Sequence, residues 1–185
     1  NANVIGDTID GQKTGMQALL AAEGQLGVRP RIIGAPGLDT QPVAAALAVI
    51  AQKLRGFAYT RAVGDSISEA ISYRSHFSSR EQMLLFPDFL AFDTTSAITT
   101  TSHAVARALG LRARIDEEIG PHKTLSNVAV EGVVGLTRDI QWDLQNSDTE
   151  AALLNAAEIT ALVRTSTGYR FWGNRTCSND PLFAF

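Results

Sequence analysis

The residues able to do chemistry are few and stand apart from one another. The one cysteine, Cys177, lies in GYRFWGNRTCS (Gly168–Ser178). A thiol becomes a nucleophile where a helix N-terminus, a cation or a histidine lowers its pKa. No histidine neighbours Cys177 in sequence, so a structural role is expected. His76, His103 and His122 have no second histidine, cysteine or carboxylate at a metal-ligand spacing. The first two fall in expected helices and the third in a loop. Gly64-Asp65-Ser66 does not match the G-x-S-x-G elbow of a serine nucleophile. Asp116-Glu117-Glu118 reads as a solvated helix end.

The loop GAPGLDT (Gly34–Thr40) lies between an expected strand and an expected helix. Free N–H groups at a helix start attract anions. The loop holds no lysine, and the chain has neither G-x-G-x-x-G nor G-x-x-x-x-G-K-[ST]. A tight strand-to-helix connection is the plainer reading. No catalytic, cofactor or metal residue is assigned, and no cofactor is expected.

Composition agrees with a packed domain. The chain has 185 residues, 45% of them hydrophobic and 19% charged, with a net charge of -3. That suffices for one sizeable core or two small ones. No basic stripe points to nucleic acid. Arg29, Arg31, Arg55, Arg61, Arg74 and Arg80 are scattered and read as solvated surface. The longest apolar run, Val43–Ala51, is too short for a membrane span, so no membrane partner is expected. A lone cysteine permits no intrachain disulfide. The first residue is Asn1 rather than methionine, so an excised piece of a longer protein is expected.

The elements that would position these residues follow from periodicity. Met16, Leu19, Leu20 and Leu26 suggest an amphipathic helix over 14–26. Ile32-Ile33 reads as a buried strand. Asp39 or Thr40 caps a helix that carries Pro42 in its first turn and closes at Gly56. FAYTRA from Phe57 is a second strand, and Asp65-Ser66 caps a helix over 66–77. Met83–Asp93 is a third strand, or two broken at Pro87. Thr95 opens a long helical segment whose apolar side is Val105, Ala108, Leu109 and Leu111. Strand and helix therefore alternate, which predicts an α/β fold. Its expected form is a three-layer-like, mostly parallel sheet flanked by helices.

At Gly120-Pro121-His122-Lys123 the character changes. Residues 1–119 form an α/β portion. Residues 120–185 form a β-rich portion that packs on it or continues it as one domain. Here Asn127–Leu136 is rich in β-branched residues. Asp148-Thr149 caps a short helix over Glu150–Glu158, and Ile159–Thr165 is a strand. Thr167–Tyr169 turns into YRFWGNRT, and Leu182–Phe185 reads as a further strand. Tyr169 and Phe171 share one strand face, and Arg170 and Trp172 the other. Gly173 and Asn174 suit a bend, and Arg175 suits pairing with a carboxylate. The cluster supplies no general base, so a packed corner is expected. Trp142 and Trp172, if exposed, would instead suit a sugar- or surface-binding module.

GYRFWGNRT followed by SNDPLFAF resembles the signature of contractile phage tail sheath proteins. Gly120-Pro121-His122 with KTLSNVAVEGVVGLTRDIQWDL resembles the family's segment ahead of that signature. EAALLNAAEITALVRTSTGYRFWGNRT resembles its run from an asparagine-bearing helix, Asn155 here, to the strand. TGMQALLAAEGQLGVRPRIIGAPG resembles an earlier strand and helix of phage and R-type bacteriocin sheaths. The resemblance marks Gly168, Tyr169, Trp172, Gly173, Asn174, Arg175, Thr176, Asn155 and Pro121 as a structural signature.

The resemblance implies a non-enzymatic subunit of a contractile sheath. Such subunits polymerise in helical rings around the tail tube, meet baseplate proteins, and contract to drive the tube through a bacterial envelope. It implies a virion-tail location after assembly in the host cytoplasm. Family members link subunits through terminal arms that add strands to neighbours. This chain is expected to be a piece without those arms, and so monomeric in isolation. The alternative is a small nucleotide- or phosphometabolite-binding α/β enzyme.

Overall fold

The computed structural model describes residues 1–180 and 182. The strand expected over Leu182–Phe185 therefore lies outside the described residues, Leu182 excepted. Six strands form one mixed sheet: β3 (Ile32–Ile33), β4 (Phe57–Arg61), β5 (Gln82–Phe86), β10 (Ile159–Thr165), β11 (Gly168–Trp172) and β8 (Ala129–Val130), adjacent in that order. The pairs β3–β4, β4–β5 and β5–β10 are parallel; β10–β11 and β11–β8 are antiparallel. Strands from both sides of Gly120 thus share one sheet.

Strand alternation decides what each face meets. Leu84, Phe86, Ile159, Ala161 and Val163 point to one face. There they meet Ala44 of α3 (Gln41–Leu54), Ala70 of α4 (Ile67–Arg74) and Ala151 and Leu154 of α6 (Glu150–Ala156). Tyr59, Met83, Leu85, Leu162 and Phe171 point the other way. They meet Val105, Ala108, Leu111 and Ile115 of α5 (Ala104–Glu118). The expected three-layer α/β arrangement is what the chain forms.

The run Met83–Asp93 is two strands. After Pro87 the chain enters β6 (Phe89–Asp93), the centre of a second sheet between β7 (Ile98–Ser102) and β9 (Gly135–Leu136). The helix expected from Thr95 does not start there. Ile98 and three threonines favour a strand, Ala97 turns the chain at φ 55°, and helix begins only at Ala104. The N-terminal region also differs from expectation. Residues 2–5 form a short helix, α1 (Ala2–Ile5), and β1 (Thr8–Ile9) pairs with β2 (Gln12–Lys13). The helix expected over 14–26 is a 3₁₀ segment, Gly15–Ala21, followed by α2 (Ala22–Leu26), and Leu26 is exposed. The helix expected to reach residue 77 ends at Arg74, leaving Phe77 buried beyond it.

Three arginines on α5 tie down the connection after it. Arg112 donates to the carbonyls of Gly120 and Lys123 and pairs with Asp116. Arg114 donates to Ala129 O and pairs with Glu131. Arg107 donates to the carbonyls of Glu131 and Gly132. Carbonyls left unpaired by an irregular segment thereby find donors. Arg74, expected at the surface, is instead buried; it pairs with Glu158 and donates to Phe77 O. No described helix is long and apolar enough to cross a membrane.

Candidate functional site

The aromatic run forms a corner where three segments meet. The β10–β11 hairpin runs from Ala161 opposite Trp172 to Thr165 opposite Gly168. Gly168 sits at φ 111° just past the turn. Thr165 Oγ1 donates to Gly168 O, and the Arg170 guanidinium donates to Thr165 Oγ1, Thr167 Oγ1 and Asn127 O. Phe171 is fully buried, edge-on to Phe89 at 5.5 Å between ring centroids. Tyr169, on the same face, donates its hydroxyl to Val134 O at 2.9 Å. Trp172, on the opposite face, is half-buried and stands edge-to-face with Trp142 at 5.1 Å.

Gly173 follows at φ 131°, and a Cβ there would strike Asn155 Oδ1. Asn155 is held by its own amide, which donates to Ala151 O at 2.9 Å. The Gly173 N–H donates to Ser126 Oγ. The helix asparagine and the strand-ending glycine are thus in contact. Asn174 and Arg175 are exposed, whereas Thr176, Cys177 and Ser178 are buried. Cys177 N–H donates to Gln82 O at 2.8 Å, which returns the chain to the start of β5. Pro121, Asn174 and Thr176 line a cavity of ≈ 700 Å³ together with Phe57, Tyr59 and Met83.

The other candidates have structural occupations. Ser66 Oγ accepts from Glu69 N–H while Glu69 accepts from Asp65 N–H, a reciprocal helix cap. In the GAPGLDT loop, Gly37 lies against the His103 ring. Asp39 is buried just ahead of α3 and accepts from Arg61 N–H at 2.6 Å; burial raises its pKa. His76 lies beyond α4, its Nδ1 at 2.9 Å from Tyr73 O. His103 stands at the N-cap of α5 rather than within a helix.

A buried acid escaped the sequence reading. Asp88 accepts from Ala104 N–H at the start of α5, pairs with Arg61 at 3.3 Å, and lies 3.6 Å from His103 Nδ1. Its backbone N–H donates to Thr137 Oγ1. It joins both sheets to a helix start. An aspartate inside Met83–Phe92, a run otherwise apolar apart from Pro87, was the signal.

The phage tail sheath protein central domain model matches residues 11–177. The chain belongs to the phage tail sheath family. It is 58% identical, over 186 residues and its whole length, to the tail sheath protein of Escherichia phage P2. It is 52% identical over 176 residues, 95% of the chain, to the major tail sheath protein of Serratia phage KSP20. It spans 47% and 44% of those two proteins, about half of each. Its fold is similar to a chain in the contracted helical sheath of the anti-feeding prophage. That match has a TM-score of 0.63 and 22% identity, covering 95% of this chain and 46% of the other.

Two predictions follow from the corner. Gly173→Ala combines an unfavourable φ with the Asn155 clash and should lower stability by about 3 kcal/mol in urea denaturation. In an Asn155→Ala background the loss should shrink by about 1 kcal/mol, because the backbone strain and the tight approach to Thr160 Cα remain. Strictly additive losses would show that the two residues do not press on each other.

Burial pushes the Cys177 thiol from 9.0 up to about 12. A raised folded-state pKa means the folded chain holds a proton that the unfolded chain releases. Its contribution is therefore complete below pH 9.0 and is lost as pH rises toward about 12. Tyr59 and Tyr73, raised by burial from 10.0 to about 12, act over the upper part of that range. Cys177→Ala should flatten the decline that begins near pH 9.0, as read by denaturation at successive pH values.

Proposed function

We propose that this chain is part of a structural subunit of a contractile tail sheath. The subunit polymerises in helical rings around the tail tube and contracts to drive the tube through the bacterial envelope. The observation that carries this reading is 58% identity along the whole chain to a tail sheath protein. Its partners are other sheath subunits, the tube and the baseplate. It acts in the virion tail after assembly in the host cytoplasm, and it catalyses no reaction. The alternative of a nucleotide-binding enzyme is disfavoured by that identity to a named tail sheath protein.

In this role the corner supplies rigidity. Gly168, Tyr169, Trp172, Gly173, Asn174, Arg175, Thr176, Asn155 and Pro121 fix the β10–β11 hairpin against α6 and the segment after Gly120. Arg175 holds the exposed turn by pairing. The shared six-stranded sheet favours reading 1–119 and 120–185 as portions of one folding unit. A block that keeps its shape can transmit a rotation from subunit to subunit, since packed interiors resist continuous deformation.

A full-length sheath protein carrying this chain should form tubes visible by electron microscopy. The isolated 185-residue chain should sediment as a monomer at micromolar concentration. Ordered tubes from the isolated chain would refute the expected monomer, and a full-length protein that never forms tubes would refute the sheath reading.

A further inference from the structure

Charge is unevenly placed on this chain. Between Asp139 and Glu150 stand four acidic side chains, Asp139, Asp143, Asp148 and Glu150, and no lysine or arginine. The whole chain carries only -3, so the rest of it is net positive. The acidic segment borders a groove of ≈ 310 Å³ whose walls include Trp142, Leu144, Ala152 and Trp172. Asp143 also lines it, and Asp143 and Asp148 are exposed. Leu144 is 73% exposed, and Leu153, on the next position of α6, is 55% exposed. The Trp142 indole N–H is buried with no hydrogen-bond partner among the described residues. Uncovered apolar side chains beside exposed carboxylates mark a surface left without a partner.

The opposite charge gathers elsewhere. Arg31 and Arg55 lie just ahead of β3 and β4, with Lys53 in the last turn of α3. All three are exposed. The Arg31 guanidinium donates to the carbonyls of Leu54 and Arg55, which holds the group together. In the strand order β3-β4-β5-β10-β11-β8, this basic group belongs to the first strands, while Trp172 ends β11. In that order β5 and β10 stand between β4 and β11.

We propose that the acidic tryptophan groove receives the basic group at Arg31, Lys53 and Arg55 of a second copy of this chain. The inference rests on the sheath reading above and names a contact within it. A guanidinium over the Trp142–Trp172 pair gains a cation–π contact, while Asp143 and Asp148 set its approach. The two surfaces differ, so the contact is heterologous. Repeated from copy to copy it builds a ring or an open helix rather than a closed dimer.

The test uses full-length sheath protein and reads tube assembly by sedimentation and electron microscopy. Asp143→Lys/Asp148→Lys should raise the protein concentration needed for assembly about tenfold. Lys53→Glu/Arg55→Glu should act similarly, and the combination of all four should restore a threshold close to the wild type. Unchanged urea midpoints confirm that these exposed substitutions leave the fold intact. In Trp172→Phe protein, acrylamide quenching assigned to Trp142 by difference from Trp142→Phe/Trp172→Phe protein should fall about threefold on assembly. Wild-type tubes whose threshold ignores the groove charges overturn the docking while leaving the sheath reading standing. So does a loss that the combination fails to restore, or unchanged quenching. A wild-type protein that forms no tubes overturns the sheath reading itself.

Discussion

The parallel pairing of β5 with β10 is the constraint on which the remaining architecture depends. It sets Ile159, Thr160 and Ala161 beside Leu84, Leu85 and Phe86, across a long stretch of sequence. Because side chains alternate, that register decides which residues face α4 and α6 and which face α5. A slip of one residue would turn Leu162 and Val163 to the wrong faces. Two further contacts hold the seam at its start. Glu158, immediately ahead of β10, pairs with the buried Arg74, and Cys177 N–H bonds to Gln82 O at the first residue of β5. Gln82 is itself buried and donates its amide to Thr60 Oγ1 on β4.

From that seam the corner follows. Once β10 is placed, the hairpin sends β11 back beside it, and Trp172 and Gly173 arrive at α6. Gly173 passes Asn155 where no side chain could. Phe171 meets Phe89, so the large sheet and the small one lean on the same ring pair. Asp88 makes a second join between them through Thr137 and Ala104. Such joins keep the two sheets from sliding past one another.

Much of this was legible in the sequence. The alternation from Ile32 to Phe86 was clear because strands buried on both faces read as short apolar runs between helix caps. The stretch YRFWGNRT was read as a strand leading into a bend, and so it is. The strand over Ile98–Ser102 was not read, although its β-branched residues spell it out. An expected helix covered them because the true helix start at Ala104 has His103 at its N-cap and no side-chain cap bond. The N-terminal hairpin was also passed over, although Asp10-Gly11, both at positive φ, is a strong hairpin turn signal. The Asn155–Gly173 contact and the burial of Arg74 depend on tertiary placement, which no local pattern carries, whereas Asp88 stood out as the one acid in an apolar run.

Native-state hydrogen exchange on the 185-residue chain asks whether the sheet is one cooperative body. The amides of β4, β5, β10 and β11 should exchange through a single opening, at the free energy of global unfolding. If β10 and β11 open together at a free energy about 2 kcal/mol or more below that of β4 and β5, the seam does not unite the two portions. The corner would then belong to a separate unit rather than to one rigid block.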